Sequence, residues 1–168
     1  MRSKFAIACA IFSLLARAHG RDPAAVLKVP APEASRPVTA VLAVVPEKLA
    51  PGKTATLLVK VRILPLHHIY ALNKSGSENV PTTLKLQIPQ DVALKGAWKA
   101  PEPKKAKDKA RIYENEVVFH STLSIAKAAA PGKHTLKCEL EYQVCNEELC
   151  WPPAKIDLAT EIEVVTSK

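Results

Sequence analysis

The chain has 168 residues, with 24 lysine and arginine side chains against 16 aspartate and glutamate side chains, and a formal net charge of +8. This length predicts one domain that is large enough to bury a hydrophobic core. Hydrolase and nucleotide chemistry have no support, because no Gly-x-Ser-x-Gly motif, His-Glu-x-x-His motif or phosphate-binding loop occurs.

Residues 1–18 have the pattern of a secretory signal peptide. A basic start is followed by the apolar run Phe5–Leu15 and the small-x-small site Ala16-Arg17-Ala18. The run is too short to span a bilayer, and no later segment is apolar enough to do so. We therefore predict cleavage after Ala18, or as late as Gly20. The mature protein is expected to be soluble and exported to a bacterial periplasm, where disulfides form, without inserting into the membrane.

Residues 19–37 are rich in proline and alanine and are expected to form a flexible lead-in to a domain at 38–168. Within that domain several segments rich in β-branched or aliphatic residues alternate with polar ones, and Pro-Gly-Lys turn signals separate some of them. This spacing predicts an all-β fold, an immunoglobulin-like antiparallel β-sandwich. The predicted strands are Val38–Val45, Thr54–Ile63, His67–Leu72, Thr82–Ile88, Val117–Ile125, His134–Val144 and Ile156–Val165.

Two segments between these strands have other patterns. Lys99–Arg111 holds much of the positive charge that remains after the leader is removed, together with two prolines and no apolar periodicity. It predicts a solvated loop. Aromatic side chains are absent among its basic residues, so it does not indicate nucleic-acid binding. Ala126–Ala130 is a short alanine run that predicts a single helical turn.

Cys145 and Cys150 end an alternating run and are followed directly by Trp151 and two prolines. A disulfide that closes a loop of about six residues contributes roughly 2 kcal/mol, near the bottom of the usual range. Such a pair can open and close without unfolding its surroundings, which suits thiol–disulfide exchange. The alternative is a non-catalytic exported β-sandwich binding module in which a structural disulfide pins a hairpin.

Strand parity separates the cysteines of the mature chain. Cys138 lies on the apolar face of its strand and is predicted to be buried and inert. Cys145 has the opposite parity, so we expect it to be accessible together with Cys150. Glu147 and Glu148 lie between the two, and negative charge near a thiol disfavours the thiolate. We therefore expect modest nucleophiles in the free protein.

Metal chemistry has little support in the sequence. His67 and His68 are adjacent in a predicted strand, point to opposite faces and cannot chelate one ion together. A copper carrier typically needs methionine or thiolate ligands, and Met1, which leaves with the leader, is the one methionine. We expect neither a metal nor a cofactor.

Tyr142-Gln143-x-Cys145 followed by Cys150-x-Pro152-Pro153 resembles the N-terminal (alpha) domain of the DsbD family of periplasmic thiol–disulfide interchange proteins. Four weaker pieces of the same resemblance lie upstream in the family's order: His68-Ile69-Tyr70-Ala71-Leu72, Pro81-Thr82-Thr83-Leu84, Pro101-Glu102 and Ile112-Tyr113-Glu114. The resemblance implies an immunoglobulin-like sandwich with Cys145 and Cys150 as the exchanging pair. The implied supporting residues are Tyr142, Gln143, Trp151, Pro152 and Tyr70.

The same resemblance implies partners. A domain of this family takes electrons from a membrane-embedded thiol reductase and passes them to oxidised periplasmic proteins, with thioredoxin-like proteins among its partners. The family's transmembrane and thioredoxin-like domains do not follow Lys168. We therefore expect a stand-alone exported monomer with separate partners. Members also shield the pair with a cap loop that bears an aromatic residue. The corresponding segment here, 99–111, has none before Tyr113.

Overall fold

A computed structural model describes residues 23–74, 78–106 and 109–166. The predicted signal peptide and residues 19–22 lie outside this part of the chain. Strands joined by turns make up most of it, which confirms the all-β prediction. No helix among the described residues is long and apolar enough to cross a membrane. The elements are α1 Pro23–Val26, β1 Val38–Val45, β2 Lys48–Leu49, β3 Thr54–Ile63, β4 His68–Tyr70, β5 Thr83–Gln87, β6 Val92–Lys99, β7 Lys104–Lys105, β8 Arg111–Glu114, β9 Glu116–Ile125, β10 Gly132–Tyr142, β11 Val144–Cys145 and β12 Ala154–Val164.

Two four-stranded sheets form the sandwich, with strand orders β1-β3-β9-β6 and β2-β12-β10-β5. Neighbouring strands are antiparallel except β2, which pairs with β12 in parallel. The alternating apolar residues of β9 and β10, such as Phe119, Leu123, Leu136 and Leu140, meet in one buried core. Burial of alternate residues on the two facing sheets confirms the predicted immunoglobulin-like sandwich.

The seven predicted strands are all present, and two of them, β1 and β3, have the predicted bounds. The prediction missed β6 and β8. β6 is an edge strand whose side chains are largely exposed, and Gly96 at φ 80° interrupts its regular pairing with β9. Both features weaken the apolar alternation by which a strand is recognised in a sequence.

A third, smaller sheet of short strands has the order β11-β4-β8-β7. It begins where β10 ends, because Gln143 separates β10 from β11 and the chain leaves the larger sheet there. Cys145 pairs with His68 of β4, and His68 pairs on its other side with Glu114 of β8. The smaller sheet therefore brings three distant parts of the sequence beside the cysteine pair.

Two local predictions were wrong. Lys99–Arg111 is not simply a solvated loop: Lys105 pairs with Arg111 between β7 and β8, and Ala110 is fully buried. Ala126–Ala130 forms a turn rather than a helical turn, with the Ala129 amide donating to the Ala126 carbonyl at 3.1 Å. The chain must reverse there to begin β10 at Gly132, and this tertiary requirement overrides the helix propensity of alanine.

Side chains of β1 and β3 hold the segment before the sandwich. Lys60 Nζ donates to the Ala24 carbonyl at 3.0 Å, and Arg62 donates to the Val29 carbonyl at 3.2 Å. The Thr39 hydroxyl donates to the Pro30 carbonyl at 2.6 Å. These contacts place residues 24–30 along the sheet. The flexibility expected for 19–37 is a statement about motion and stays a prediction.

Candidate functional site

Cys145 and Cys150 form a disulfide across a tight hairpin, with their Cα atoms 4.0 Å apart. The hairpin has hydrogen bonds of its own. The Asn146 side-chain oxygen accepts from the Glu148 and Leu149 amides at 2.9 and 2.8 Å, and the Trp151 amide donates to the Val144 carbonyl at 3.0 Å. These bonds hold the two cysteines opposite each other independently of the bond between their sulfurs.

The two sulfurs lie in different environments. Cys150 is exposed, but Cys145 is only 1% exposed, so the prediction that both are accessible was wrong for Cys145. The parity argument extended the β10 alternation through Gln143, where β10 has already ended. Cys145 belongs instead to the smaller sheet and packs in an apolar cluster with Tyr70, Ala110 and Ile112.

The cover over Cys145 comes from the lysine-rich segment. We call β7, β8 and the residues that join them the basic hairpin. Within it, the Ala106 amide donates to the Ala110 carbonyl at 2.8 Å, and both alanines pack at the cluster that contains Cys145. Two small apolar residues thus lie where the resemblance implied an aromatic cap.

Tyr70 is the polar residue of that cluster. Its hydroxyl lies 3.3 Å from Cys145 Sγ and 3.8 Å from Cys150 Sγ, and the residue is 3% exposed. The Thr82 hydroxyl donates to the Tyr70 carbonyl at 2.6 Å, and the His68 ring meets the Tyr70 ring edge-on at 5.5 Å. These contacts fix a hydrogen-bond donor at both sulfurs.

Gln143 braces the start and end of the motif. Its Nε2 donates to the Trp151 carbonyl at 3.2 Å, and its Oε1 accepts from the Val80 amide at 3.0 Å. Trp151 is half-buried, with its ring 5.3 Å from the His67 ring, and Pro152 is exposed. Gln143 therefore connects the cysteine hairpin to the segment that precedes β5.

Tyr142, a further predicted supporting residue, faces the core of the sandwich. It is buried, and burial raises the pKa of its hydroxyl. Among the described residues no hydrogen bond joins that hydroxyl to either sulfur. The structure thus brings Tyr70, Gln143 and Trp151 to the disulfide directly, whereas Tyr142 supports it only through the strand that leads into the motif.

The sequence profile described as "Thiol:disulfide interchange protein DsbD, N-terminal" matches residues 36–161. The chain belongs to this family. The DsbD N-terminal domain of Neisseria meningitidis in its reduced form is 23% identical, with 76% of this chain and 85% of that chain covered and a TM-score of 0.48. The N-terminal periplasmic domain of ScsB from Proteus mirabilis is 17% identical, with 76% of this chain and 45% of that chain covered and a TM-score of 0.47.

A third similar structure is the complex between the DsbD N-terminal and the PilB N-terminal domains of Neisseria meningitidis. It is 17% identical, with 78% of this chain and 84% of that chain covered and a TM-score of 0.45. No curated protein sequence matches the chain.

Cys138, the third cysteine of this DsbD N-terminal domain, is a free thiol buried in the sandwich core, as predicted. Burial, with a smaller contribution from the Glu139 carboxylate, raises the pKa of the Cys138 thiol to about 11. A thiol with so high a pKa stays protonated at neutral pH and is a poor nucleophile. Cys138 is therefore chemically separate from the exchanging pair that characterises the family.

Sequence reasoning missed the part of the DsbD N-terminal site that the basic hairpin supplies. Ala106, Ala110 and Ile112 lie against Cys145 but are far from it in sequence, and no feature of an isolated alanine identifies it as a covering residue. Lys155, the basic residue nearest to the motif in sequence, instead donates to Glu139 at 3.0 Å on β10. In the described part of the chain no three His, Cys, Asp or Glu side chains cluster so as to hold a metal ion.

Proposed function

We propose that the protein is a periplasmic thiol–disulfide exchange protein. It relays electrons from a membrane-embedded thiol reductase through Cys145 and Cys150 to oxidised periplasmic proteins, with thioredoxin-like proteins among its partners. The observation that carries the proposal is the asymmetric disulfide, with an exposed Cys150 sulfur and a buried Cys145 sulfur in a self-supporting hairpin. Membership of the DsbD N-terminal family supports it.

The asymmetry assigns an order to the exchange. An incoming thiolate reaches Cys150 Sγ, forms a new disulfide with it, and displaces Cys145 as a thiolate that keeps the electron pair of the broken bond. A second thiol of the partner then attacks its own sulfur in this mixed disulfide and releases Cys150. The protein is thereby reduced by two electrons and the partner is oxidised. Electron delivery is the reverse, with Cys150 attacking a client disulfide and Cys145 resolving the product.

Displacement of Cys145 puts negative charge into an apolar cluster, and burial without a partner penalises an anion. The Tyr70 hydroxyl at 3.3 Å can donate a hydrogen bond to the developing thiolate. A hydrogen bond to a charged group is roughly twice as strong as one between neutral groups. Tyr70 therefore stabilises the leaving sulfur, which compensates for the absence of positive charge in the cluster of residues around Cys145.

The reduction potential tests the proposal. After equilibration with glutathione buffers, a potential of about −200 mV is expected for an exchanging pair, whereas a resistant structural disulfide lies below about −300 mV. The Cys145→Ala variant, which keeps the exposed Cys150, should accumulate mixed disulfides with a dithiol protein. The Cys150→Ala variant should accumulate far fewer. A potential in the structural range, with no trapping by either variant, would support the pinned binding module instead.

A further inference from the structure

Among the described residues, the exposed large hydrophobic side chains are Leu66, which is 90% exposed, and Leu149, which is 50% exposed. Leu149 directly precedes Cys150. Leu66 directly precedes His67, whose ring lies 5.3 Å from the ring of Trp151 on the other side of Cys150. Two loops that are distant in sequence therefore bring both leucines beside the exposed sulfur.

The backbone at Leu66 is held in an unusual conformation. Its φ of 66° lies in the left-handed region, which residues with a Cβ atom rarely adopt. The turn around it is fixed by the His67 amide, which donates to the Leu64 carbonyl at 3.0 Å, and by His67 Nδ1, 3.0 Å from the Pro65 carbonyl. An exposed apolar side chain gains nothing within the domain from this placement. A strained residue at a reactive site points to a role outside the domain.

Positive charge lies on one side of this apolar pair. The side chains of Lys104, Lys105, Lys109 and Arg111 in the basic hairpin are exposed. Lys104 pairs with Glu114 at 2.6 Å, and Arg111 lies 3.5 Å from a carboxylate oxygen of Glu102. Within the described residues, Lys105 and Lys109 have no carboxylate partner.

The order of the smaller sheet sets the dimensions of this surface. β7 lies three strand spacings from β11, or about 14 Å, since neighbouring strands are about 4.8 Å apart. That distance fits within the face of one protein partner, which typically covers about 800 Å². Glu147 and Glu148 are exposed in the cysteine hairpin, at the edge of the sheet away from β7. The charge around Cys150 is therefore basic on one side and acidic on the other.

We propose that Leu66 and Leu149 are the apolar anchors of a docking face whose occupant is a thiol-bearing protein. That partner carries an apolar residue next to its reactive cysteine and carboxylates that face Lys105 and Lys109. Exposed apolar side chains that cluster around a reactive group mark interaction sites, and buried anchors of this kind dominate binding energy. The inference rests on the proposed exchange function and adds to it the chemistry of the partner.

Synthetic thiol peptides test the apolar anchors. The first probe has the sequence Glu-Glu-Gly-Leu-Cys-Gly, and the second has serine in place of its leucine. Each rate of reduction of Cys145–Cys150 is divided by the rate of the same peptide with hydroxyethyl disulfide, which removes differences in intrinsic thiol reactivity. In the Leu66→Ser/Leu149→Ser variant the leucine probe should lose about threefold or more in relative rate, and the serine probe should not. Equal relative rates with the wild-type protein and this variant would overturn the anchors.

A second pair of proteins tests the charge. In the Lys105→Glu/Lys109→Glu variant the glutamate probe should slow by about fivefold in roughly 50 mM salt, and the difference should vanish near 0.5 M salt because exposed charges are screened. A probe with lysines in place of the glutamates should not slow. The matched control is Lys127→Glu/Lys137→Glu, at exposed positions before and within β10 that lie more than about 20 Å from Cys145 along the strand. Similar slowing in the control, or none in either variant, overturns the assignment to the basic hairpin.

Dithiothreitol separates this inference from the proposed function. If dithiothreitol reduces the pair at similar rates in the wild-type protein and all variants, any peptide-specific differences belong to the docking face. If it reduces the pair but all peptides react alike with every variant, the docking face alone fails. If the pair resists dithiothreitol at neutral pH, the exchange function fails and the docking face fails with it.

Discussion

At the scale of single residues, the chemistry depends on the different environments of Cys145 and Cys150. Spacing in the sequence identifies the pair, but it does not show which sulfur a partner reaches. The structure buries Cys145 beside the Tyr70 hydroxyl and leaves Cys150 exposed. An acidic turn near Cys150 and a hydrogen-bond donor at Cys145 then act on different sulfurs. The expectation that both thiols are equally modest nucleophiles therefore becomes a more specific prediction about Cys145.

Replacing Tyr70 with phenylalanine removes the donor and little else. We expect the pKa of Cys145 in the reduced protein to rise. The rate at which a small thiol displaces Cys145 should fall by roughly 10-fold or more, because a hydrogen bond to a charged group contributes about 1.5–3 kcal/mol. The measurements are the pH dependence of alkylation of each cysteine, followed by mass spectrometry, and the rate of reduction by dithiothreitol.

Tyr142→Phe is the matched control for this substitution. It also deletes a buried tyrosine hydroxyl, three positions before Cys145, but one that has no hydrogen bond to either sulfur within the described residues. We expect a change in stability without a change in the pKa of Cys145. An unchanged alkylation profile in Tyr70→Phe, or the same change in both variants, would show that the Tyr70 hydroxyl does not stabilise the thiolate.

Cys138 gives a prediction about stability at alkaline pH. Its folded-state pKa of about 11 lies above that of an unfolded thiol, about 8.5. The stabilisation is therefore fully present below the unfolded value and is lost as the pH rises through the folded value. Between pH 8 and 11 we expect a loss of about 2 kcal/mol in the free energy of unfolding that Cys138→Ala does not show. Urea unfolding in a Cys145→Ala/Cys150→Ala background, which prevents disulfide exchange, measures the difference. Parallel curves would contradict a buried, protonated Cys138.

At the scale of elements, the cysteine hairpin is held by Gln143 as well as by the disulfide. Deleting the Gln143 amide breaks bonds to the Trp151 carbonyl and the Val80 amide. We expect Gln143→Ala to lower stability by about 1–2 kcal/mol. The reduction potential should become less negative, because the two thiols are held together less well once reduced. Gln87→Ala, at an exposed position in β5, is the control and should leave the potential unchanged. A potential unaffected by Gln143→Ala would show that the hairpin does not depend on this brace.

The sequence predicted those elements whose residues alternate over a long, half-buried strand. β1, β3, β9 and β10 are of this kind, and their bounds were predicted to within a few residues. The elements that shape the site are different. β4, β7, β8 and β11 have two to four residues each, too few for a period to show, and they depend on one another for pairing. The motif residues could therefore be named in advance, whereas the cover over Cys145 and the neighbouring basic hairpin could not.

At the scale of the whole molecule, the two large sheets enclose the core, and the disulfide belongs to the smaller sheet that extends from the end of β10. Apart from its link through Gln143, the cluster around Cys145 is separate from the core cluster. A domain organised in this way can change the state of the disulfide while the sandwich stays folded. That property distinguishes an exchanging pair from a bond on which folding depends.

Reduction should therefore act locally. A disulfide that closes a loop of about six residues contributes roughly 2 kcal/mol, so we expect the reduced protein to melt about 4–8 °C below the oxidised protein in a single cooperative transition. Amide hydrogen exchange should quicken in residues 143–151 and in the basic hairpin, and stay unchanged in β3, β9 and the first half of β10. Cys138→Ala serves as the control, because it lowers stability in both redox states alike. Accelerated exchange throughout the sandwich on reduction would mean that the bond supports the fold, and the pair would then be a structural one.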